Sequence, residues 1–474
     1  MVEDKPISMG SKTVEWESDP AGMMEFYQNQ PYKLGDSIAD LVDNAYDADA
    51  TKIDVLIDRD RETNKMFVRI MDNGKGISED KWGDAMMLGI QRARKVGDLG
   101  VFGVGLKLSS LSQANEVTVA SVHDRKFGVR RISSDHIINT NKNELMLTDT
   151  GSWAYKHGYE TLVGQKWTTM ILLEDVHSER RFSSFDMQED AALSKEIKRV
   201  KVHLRLTFTK ILTESLRSNV ILSFQGKPLK PLDPMMQWEK NGSYGTIVMP
   251  MFIIDANING RKIPVRVEPV IIPHTNNFDD GKTARMVNSG YKKANEMQGL
   301  YLYRNDRLIQ YGGWNGMYGH TQEEHNKLGK VTIHIPPKYE KEFGLSPTKT
   351  DIQLPLDFIR QLRSKLDEKR QWGQIKGGVK MTFSTAFDHR YRNEGKVKSK
   401  KVGSKKTTIV PKKIRGDLKE EKTVEEPIFN PSIKKTNNNV KAQPIVKSIE
   451  DNGENTIVTL DNSKNGFKDL IQII

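Results

Sequence analysis

The chain has 474 residues and contains no cysteine. This absence excludes disulfide bonds, thiolate metal sites and cysteine nucleophiles, and it indicates a reducing compartment. The sequence also lacks an N-terminal signal pattern of basic and then apolar residues, and it lacks an apolar run of about 20 residues, the length that crosses a bilayer. We therefore expect a soluble, intracellular protein without a membrane partner, cytoplasmic or, if the source is eukaryotic, nuclear.

Apolar residues are also scarce. Only 36% of the chain is hydrophobic, while 28% is charged, so we expect that part of the chain is not packed. The length is sufficient for two sizeable cores and a tail. From about residue 373 the sequence loses periodicity, and residues 393–453 are rich in Lys, Asn, Ser, Thr and Pro. We therefore predict that residues 373–474 form a basic, mostly disordered tail.

Positive charge is unevenly distributed. The net charge of the chain is +11, and between Arg390 and Arg415 eleven Lys or Arg stand against one acid, Glu394. This run carries nearly the whole excess, which indicates a polyanionic partner, most simply DNA. A solvated, solubilising tail explains the same composition equally well, and both interpretations stay open.

Residues 35–48 have the spacing of an amphipathic helix. One stripe is apolar and consists of Ile38, Leu41, Val42 and Ala45. A second stripe carries Asp40, Asn44 and Asp47, a row of hard oxygen atoms of the type that Mg²⁺ prefers. For this stretch alone, a solvated acidic face is the commoner explanation. Asp36 is the predicted N-cap.

The residues that follow predict a layered α+β domain with helices over one face of a sheet. Strands are expected at residues 52–58, 66–71, 116–122, 126–132 and 167–173. The second strand runs directly into Asp72-Asn-Gly-Lys-Gly76. A glycine-rich segment, residues 100–110, then opens a helix, and its backbone N–H groups and Lys107 are suited to contact an anion. It does not have the P-loop spacing.

A long basic amphipathic pattern at residues 190–207 marks the predicted domain boundary. We assign residues 1–195 to a first domain and residues 196–372 to a second. Within the second domain, strands are predicted at 262–267, 299–303 and 331–335, and a helix at 355–369.

The order of these pieces resembles the GHKL superfamily of ATPases, which includes gyrase, the ninety-kilodalton heat-shock chaperones, histidine kinases and MutL. An acidic Asp/Asn helix comes first, then a strand ending in Asp-x-Gly-x-Gly, then a glycine-rich loop that opens a helix. The resemblance covers roughly residues 35–173. It implies a Bergerat-type two-layer α/β sandwich that binds ATP with Mg²⁺ and closes a lid, around residues 78–100, over the nucleotide.

The resemblance also implies roles for single residues. Asn44 matches the asparagine that holds Mg²⁺ against the triphosphate, and Asp72 matches the carboxylate that accepts a hydrogen bond from the adenine amino group. Thr169, or its neighbour Thr168, matches the threonine beside that aspartate. The usual preceding glycine is missing there, so the register is open by one residue. The other implied nucleotide-binding positions are Asp47, Gly74, Gly76, Gly100, Phe102, Gly103, Val104, Gly105, Leu106 and Lys107.

One position departs from the family pattern. The general base is usually a glutamate one helical turn before the asparagine, and that position is Asp40 here. An aspartate is shorter by one methylene, and a base must lie within about 2.6–3.2 Å of the atom whose proton it takes, or reach it through one water. We therefore expect slow hydrolysis, or ATP binding with little turnover, which would suit a switch.

The second domain resembles the S5-like transducer of gyrase- and MutL-type proteins. Residues 346–350, Ser-Pro-Thr-Lys-Thr, resemble the loop that delivers a lysine to the γ-phosphate, and Lys349 would stabilise charge there. A surface lysine after a proline turn is the alternative. Residues 303–308, Tyr-Arg-Asn-Asp-Arg-Leu, with Gly312-Gly-Trp314 after them, resemble the transducer of MORC-like ATPases. Residues 100–113 are most similar to that branch and its prokaryotic relatives.

These resemblances imply a protein in which ATP closes two copies into a homodimer. The chain would then be a nucleotide-driven clamp or switch, with DNA as a candidate partner through the basic tail. Two alternatives stay open: an ATP-sensing scaffold that binds proteins without hydrolysis, and a chaperone-like ATPase. This step depends on analogy with the family.

Overall fold

The structure is a computed structural model. It describes the following residues: 19–60, 62–86, 99, 105–147, 153–177, 189–213, 219–236, 245–274, 294–318, 324–340, 342–345, 352–368, 374–375, 379–403, 446–451 and 456–460. None of the helices within these ranges is long and apolar enough to cross a membrane.

The first part of the chain builds one sheet with its helices. In chain order the elements are α1 (Pro20–Gln28), α2 (Leu34–Asp47), β1 (Lys52–Arg59), β2 (Met66–Asp72), α3 (Trp82–Met86), α4 (Gly105–Leu111), β3 (Ala114–His123), β4 (Lys126–Ser133), α5 (Ser134–Thr140), α6 (Trp153–Gln165), β5 (Thr169–Val176), α7 (Glu189–Thr207), α8 (Thr209–Thr213), β6 (Ile221–Phe224) and β7 (Lys227–Pro228). The five strands predicted in this region are confirmed.

Helix α2 forms where its apolar stripe predicted it. Ile38, Leu41, Val42 and Ala45 are buried against the sheet. The prediction of Asp36 as N-cap is wrong: the helix begins after Lys33, which makes no side-chain capping bond. Asp36 lies within the first turn and pairs with His203 of α7 at 3.2 Å, because the basic helix packs beside it.

Among the strands given so far, the order in this sheet is β4-β3-β5-β2-β1-β6-β7. Its pairings are antiparallel except for β1 with β6. Helices α1, α2 and α7 bury one face, as predicted. The other face is also covered in part, because α6 packs Leu162 against Met71, Phe127 and Met170, so helices are not restricted to one face.

The structure differs from the predicted domain boundary at residue 195. Helix α7 packs its apolar side, including Val200 and Leu204, into the core of the first sheet, and β6 then pairs in parallel with β1. The first sheet therefore extends to Pro228. The amphipathic pattern of α7 predicts that one face of the helix is buried, but it does not predict which of the two sheets that face packs against.

The next part builds a second sheet with its own core. Its strands are β8 (Ile247–Val248), β9 (Phe252–Ile258), β10 (Arg261–Ile271), β11 (Gly299–Arg304), β12 (Arg307–Tyr311) and β13 (Gly329–His334), followed by helix α9 (Leu356–Asp367). The order is β12-β11-β13-β10-β8, and β9 also pairs with β10. The strands and the helix predicted for this domain are thus present.

The chain beyond residue 373 contains more structure than predicted. The elements described there are β14 (Gln374–Ile375), β15 (Val379–Lys380), α10 (Phe383–Gly403), β16 (Val446–Asp451) and β17 (Thr456–Leu460). Helix α10 packs Phe383 and Phe387 into the second core beside Trp314, and β17 pairs with β4 at the edge of the first sheet. The prediction of disorder therefore does not hold for these described residues. In α10, the low overall hydrophobicity concealed the aromatics that anchor the helix.

The packing of α10 gives a first prediction. Phe387 is 1% exposed, so Phe387→Ala should lower the free energy of unfolding by about 3–5 kcal/mol, because burial is reduced and a cavity is left. Arg392→Ala on the same helix removes only a partly exposed pair with Asp388 and should cost about 1 kcal/mol or less. Urea unfolding of both variants checks this, and equal small effects would show that α10 is not docked.

Candidate functional site

Asp72 ends strand β2 and lies buried, 4% exposed, at the start of the glycine loop. Its Oδ1 accepts a hydrogen bond from the Gly74 N–H at 2.8 Å. Burial raises the pKa of Asp72 from its usual 3.8 to about 6, although the Gly74 N–H and the Thr168 hydroxyl lower it in part. A buried carboxylate with further acceptor capacity is suited to bind a hydrogen-bond donor such as an amino group.

The two threonines whose register was open have different contacts. Thr169 is the cross-strand partner of Asp72, so both side chains lie on the same face of the sheet. Its hydroxyl lies 3.2 Å from the Ser121 hydroxyl. The Thr168 hydroxyl donates instead to the carbonyl oxygens of Asp72 and Gly74, at 3.2 and 2.6 Å. The geometry thus favours Thr169 beside the aspartate, with Thr168 fixing the loop.

The glycines of this loop are required by close backbone contacts. A Cβ on Gly74 would lie 2.7 Å from the carbonyl oxygen of Ala48 at the end of α2. Gly76 has a φ of +71°, and its Cβ would lie 2.4 Å from the carbonyl oxygen of Val122. The loop is therefore pressed between α2 and the end of β3, and only glycine fits at either position.

The acidic stripe of α2 is buried rather than solvated. Asp40 and Asp43 have side chains with no exposed surface. Asp47, the last residue of the stripe, accepts a hydrogen bond from the Leu99 N–H at its Oδ1, at a distance of 2.8 Å. Leu99 belongs to the predicted lid and is itself fully buried. The helix thus presents its polar side chains to other parts of the molecule.

Asn44 lies between these paired carboxylates. Its Nδ2 is buried and has no hydrogen-bond partner among the described residues. A buried amide N–H group without a partner costs free energy, so it points to a missing hydrogen-bond acceptor, such as a phosphate oxygen. The residues present fit Mg²⁺ bound to a nucleotide, because the Asn44 side-chain oxygen is a hard ligand on a stripe of carboxylates.

The glycine-rich segment is described only from residue 105. Helix α4 begins at Gly105, and Lys107 within it is buried, 3% exposed. Ser37 of α2 donates to the Ser109 carbonyl at 2.7 Å, which joins the two helices. Gly100, Phe102, Gly103 and Val104, and Lys349 of the second domain, lie outside the described residues.

A turn of the second domain completes this region. Strands β11 and β12 are joined by Asn305 and Asp306, whose φ values of +46° and +63° make a tight hairpin turn. Arg304 and Arg307 flank the turn and are cross-strand partners, so their side chains lie on the same face of the β11–β12 hairpin. Both arginines are 3% exposed.

Arg307 binds two carboxylates of α2. Its Nη2 donates to Asp40 Oδ1 at 2.9 Å, and its Nε lies 2.8 Å from Asp43 Oδ2. The other oxygen of Asp40 accepts the Tyr32 hydroxyl at 2.7 Å. Burial alone would lower the pKa of Arg307, but Asp43 and Asp40 raise it above its usual value, so the guanidinium stays charged.

Arg304 contacts the lid. Its Nη1 donates to the Leu99 carbonyl oxygen at 3.1 Å, and its Nε donates to Glu340. Leu99 is therefore held at both backbone groups, by Asp47 through its N–H and by Arg304 through its carbonyl. Arg307 therefore bonds Asp40 at one end of the stripe directly, while Arg304 reaches Asp47 at the other end only through Leu99.

Several of these contacts were not predicted. Tyr32, Asp43, Leu99, Arg304 and Arg307 had no assigned role. The signal for the two arginines was the segment 303–308, which the sequence indicated only as a MORC-like feature. The partners of Arg307 on α2 are 264 and 267 residues away along the chain. Local residue patterns do not predict contacts over such a separation.

A comparison with protein families agrees with this geometry. Residues 32–161 match the family described as "Histidine kinase-, DNA gyrase B-, and HSP90-like ATPase". No curated protein matches the chain.

The domain that contains residues 32–161 is thus an ATP-binding domain of α+β fold. Residues 32–161 thus match the GHKL family of ATPases that the motifs predicted.

The raised pKa of Asp72 predicts a conflict between stability and binding. The folded chain holds this proton more tightly than the unfolded chain, so the ionised carboxylate destabilises the fold above about pH 6. This cost disappears as the pH falls through about 6 towards 3.8. Asp72→Asn should therefore stabilise the unliganded protein at about pH 7.5, by up to about 3 kcal/mol, and hardly at about pH 4.

The same variant should lose ATP binding, because the amide presents a donor where the adenine amino group needs an acceptor. Urea unfolding at the two pH values and calorimetric titration with ATP check both parts. Asp49→Asn is the matched control, since Asp49 is 77% exposed and pairs only at the surface with Lys75. A variant that is destabilised equally at both pH values would contradict the prediction.

Proposed function

We propose that the chain is an ATP-driven switch that hydrolyses ATP slowly. ATP with Mg²⁺ would bind between Asp72, at the adenine end, and Asn44, at the triphosphate end. The observation that carries the proposal is the buried Asn44 Nδ2 without a partner among the described residues, on a stripe whose neighbours are both paired. The family match supports ATP binding in general.

Within this function, each predicted residue has a role suited to its chemistry. Asp72 and Thr169 would bind adenine, and Asn44 would hold Mg²⁺ against the phosphates, where the ion supplies charge stabilisation. Lys107 and the glycine-rich residues 100–105 would contact the phosphates through cationic and N–H groups. Lys349 would contact the γ-phosphate from the second domain, and Asp40 would orient the attacking water.

ATP would close two copies of the chain into a clamp, and hydrolysis would release it. On this proposal the second domain is an S5-like transducer, and the branch is MORC-like. The alternatives are an ATP-sensing scaffold without turnover and a chaperone-like ATPase. The scaffold is favoured by one observation, because the side chain of Asp40 has no exposed surface, which limits its access to water.

Mass measurement in solution tests the clamp. The protein is examined without nucleotide, with Mg-ATP and with a non-hydrolysable analogue, and phosphate release is followed in the same samples. We expect a dimer with either nucleotide and slow release with ATP only. Asn44→Ala should stay monomeric and bind no Mg-ATP, while Asn73→Ala, whose side chain bonds Thr51 and Lys52 outside the acidic stripe, should behave as wild type.

A monomer under all three conditions would contradict the clamp. Binding and dimerisation with no phosphate released would favour the scaffold instead.

The basic run provides the test for DNA. Lys405, Lys406, Lys412 and Lys413 are replaced together by Gln, and by Arg in a control variant that keeps the charge. If these residues neutralise phosphates, the Gln variant should bind duplex DNA more weakly and with a smaller salt slope, by up to about 0.9 for each lysine that had paired with a phosphate. Fluorescence anisotropy at several salt concentrations checks this. Equal binding by both variants would show that the run only solubilises the chain.

A further inference from the structure

Arg307, Tyr32 and Arg304 form a set of contacts around the acidic stripe that the family motifs do not include. We propose that Arg307 and Tyr32 are positioning residues that orient Asp40 for hydrolysis. The inference rests on the proposed function, and it places part of the ATPase site on the second domain.

The orientation of Asp40 follows from its two hydrogen bonds. Arg307 donates to Oδ1 at 2.9 Å and Tyr32 to Oδ2 at 2.7 Å, so the plane of the carboxylate is fixed from both sides. A carboxylate oxygen can accept more than one hydrogen bond, so these donors do not by themselves prevent contact with water. A short aspartate depends on orientation more than the longer glutamate, because a displacement of about 1 Å can cost about a hundredfold in rate.

The two donors differ in what they contribute. Arg307 also pairs with Asp43, so it neutralises two buried carboxylates that would otherwise repel each other. Tyr32 adds no charge and makes only the bond to Asp40 among the described side-chain contacts. Removing the tyrosine hydroxyl therefore changes the orientation of Asp40 without leaving a buried charge unpaired.

Arg304 acts on a different part of the site. It donates to the Leu99 carbonyl, while Asp47 accepts the Leu99 N–H. Glu340 fixes the arginine in turn. Arg304 and Asp47 thus hold Leu99 between the second domain and α2.

Because Arg304 and Arg307 flank one two-residue turn, they move together. Any displacement of the second domain relative to the first therefore affects the contacts of Asp40 and of Leu99 together. The β11–β12 turn therefore couples the second domain to the nucleotide site of the first.

The test compares variants of the full chain. Arg307→Lys and Tyr32→Phe should lower kcat at least about tenfold, with the Kd for ATP within about twofold of wild type. Two controls remove similar groups elsewhere: Tyr27→Phe on α1, and Arg390→Lys, a buried arginine that bonds Glu394 and two carbonyls in the second domain. Both controls should keep kcat and Kd, and melting temperatures identify any unfolded variant.

The outcomes separate this inference from the proposed function. Unchanged or increased kcat in Arg307→Lys and Tyr32→Phe overturns the positioning role, as does a wild-type protein that binds ATP without hydrolysing it. A uniform loss that includes Arg390→Lys would show a structural effect and also overturn it. A wild-type protein that binds no ATP would overturn the proposed function itself.

Discussion

The placement of α2 against the second sheet depends on one buried electrostatic contact. Asp40 and Asp43 lie on the same turn of α2 with no exposed surface, and two such carboxylates are tolerated only beside a cation. Arg307 supplies that cation from the second sheet. Removing one partner of a buried pair typically costs about 3–5 kcal/mol, so the position of the β11–β12 turn against α2 is strongly specified. The contact joins the domains at the site and not at a distant hinge.

The same logic applies at the other end of the site. The Asp72 carboxylate is buried where strand β2 ends, and the backbone of Gly74 and Gly76 is packed too closely to admit a Cβ. In the unliganded protein the buried charge of Asp72 lowers the free energy of unfolding, and a ligand that donates a hydrogen bond to this carboxylate would reduce that loss. Buried polar groups that lower stability in this way are expected at binding sites. Their hydrogen bonds are completed only when the ligand is bound.

The sequence predicted local features well and long-range ones poorly. The apolar stripe of α2, the β1–β2 hairpin and the order of the ATPase motifs follow from periods of 3.6 and 2 and from turn residues, which depend on neighbours along the chain. The extension of the first sheet by β6 could not be predicted, because a parallel pairing between residues near 53 and 222 leaves no local signal. The partner of Asp40 was missed for the same reason. Disorder was overpredicted at α10, where Phe383 and Phe387 outweigh an otherwise basic composition.

The separation between α2 and Arg307 also bears on how the chain is synthesised. Asp43 emerges from the ribosome 264 residues before the arginine that neutralises it. At roughly 5–20 residues per second, this interval lasts on the order of ten seconds to a minute. During that time α2 carries two carboxylates that cannot be buried without a cation. The nucleotide site therefore reaches its final form late in translation, although most of its residues are made early, and a nascent first domain would depend on solvent or a chaperone to cover this helix.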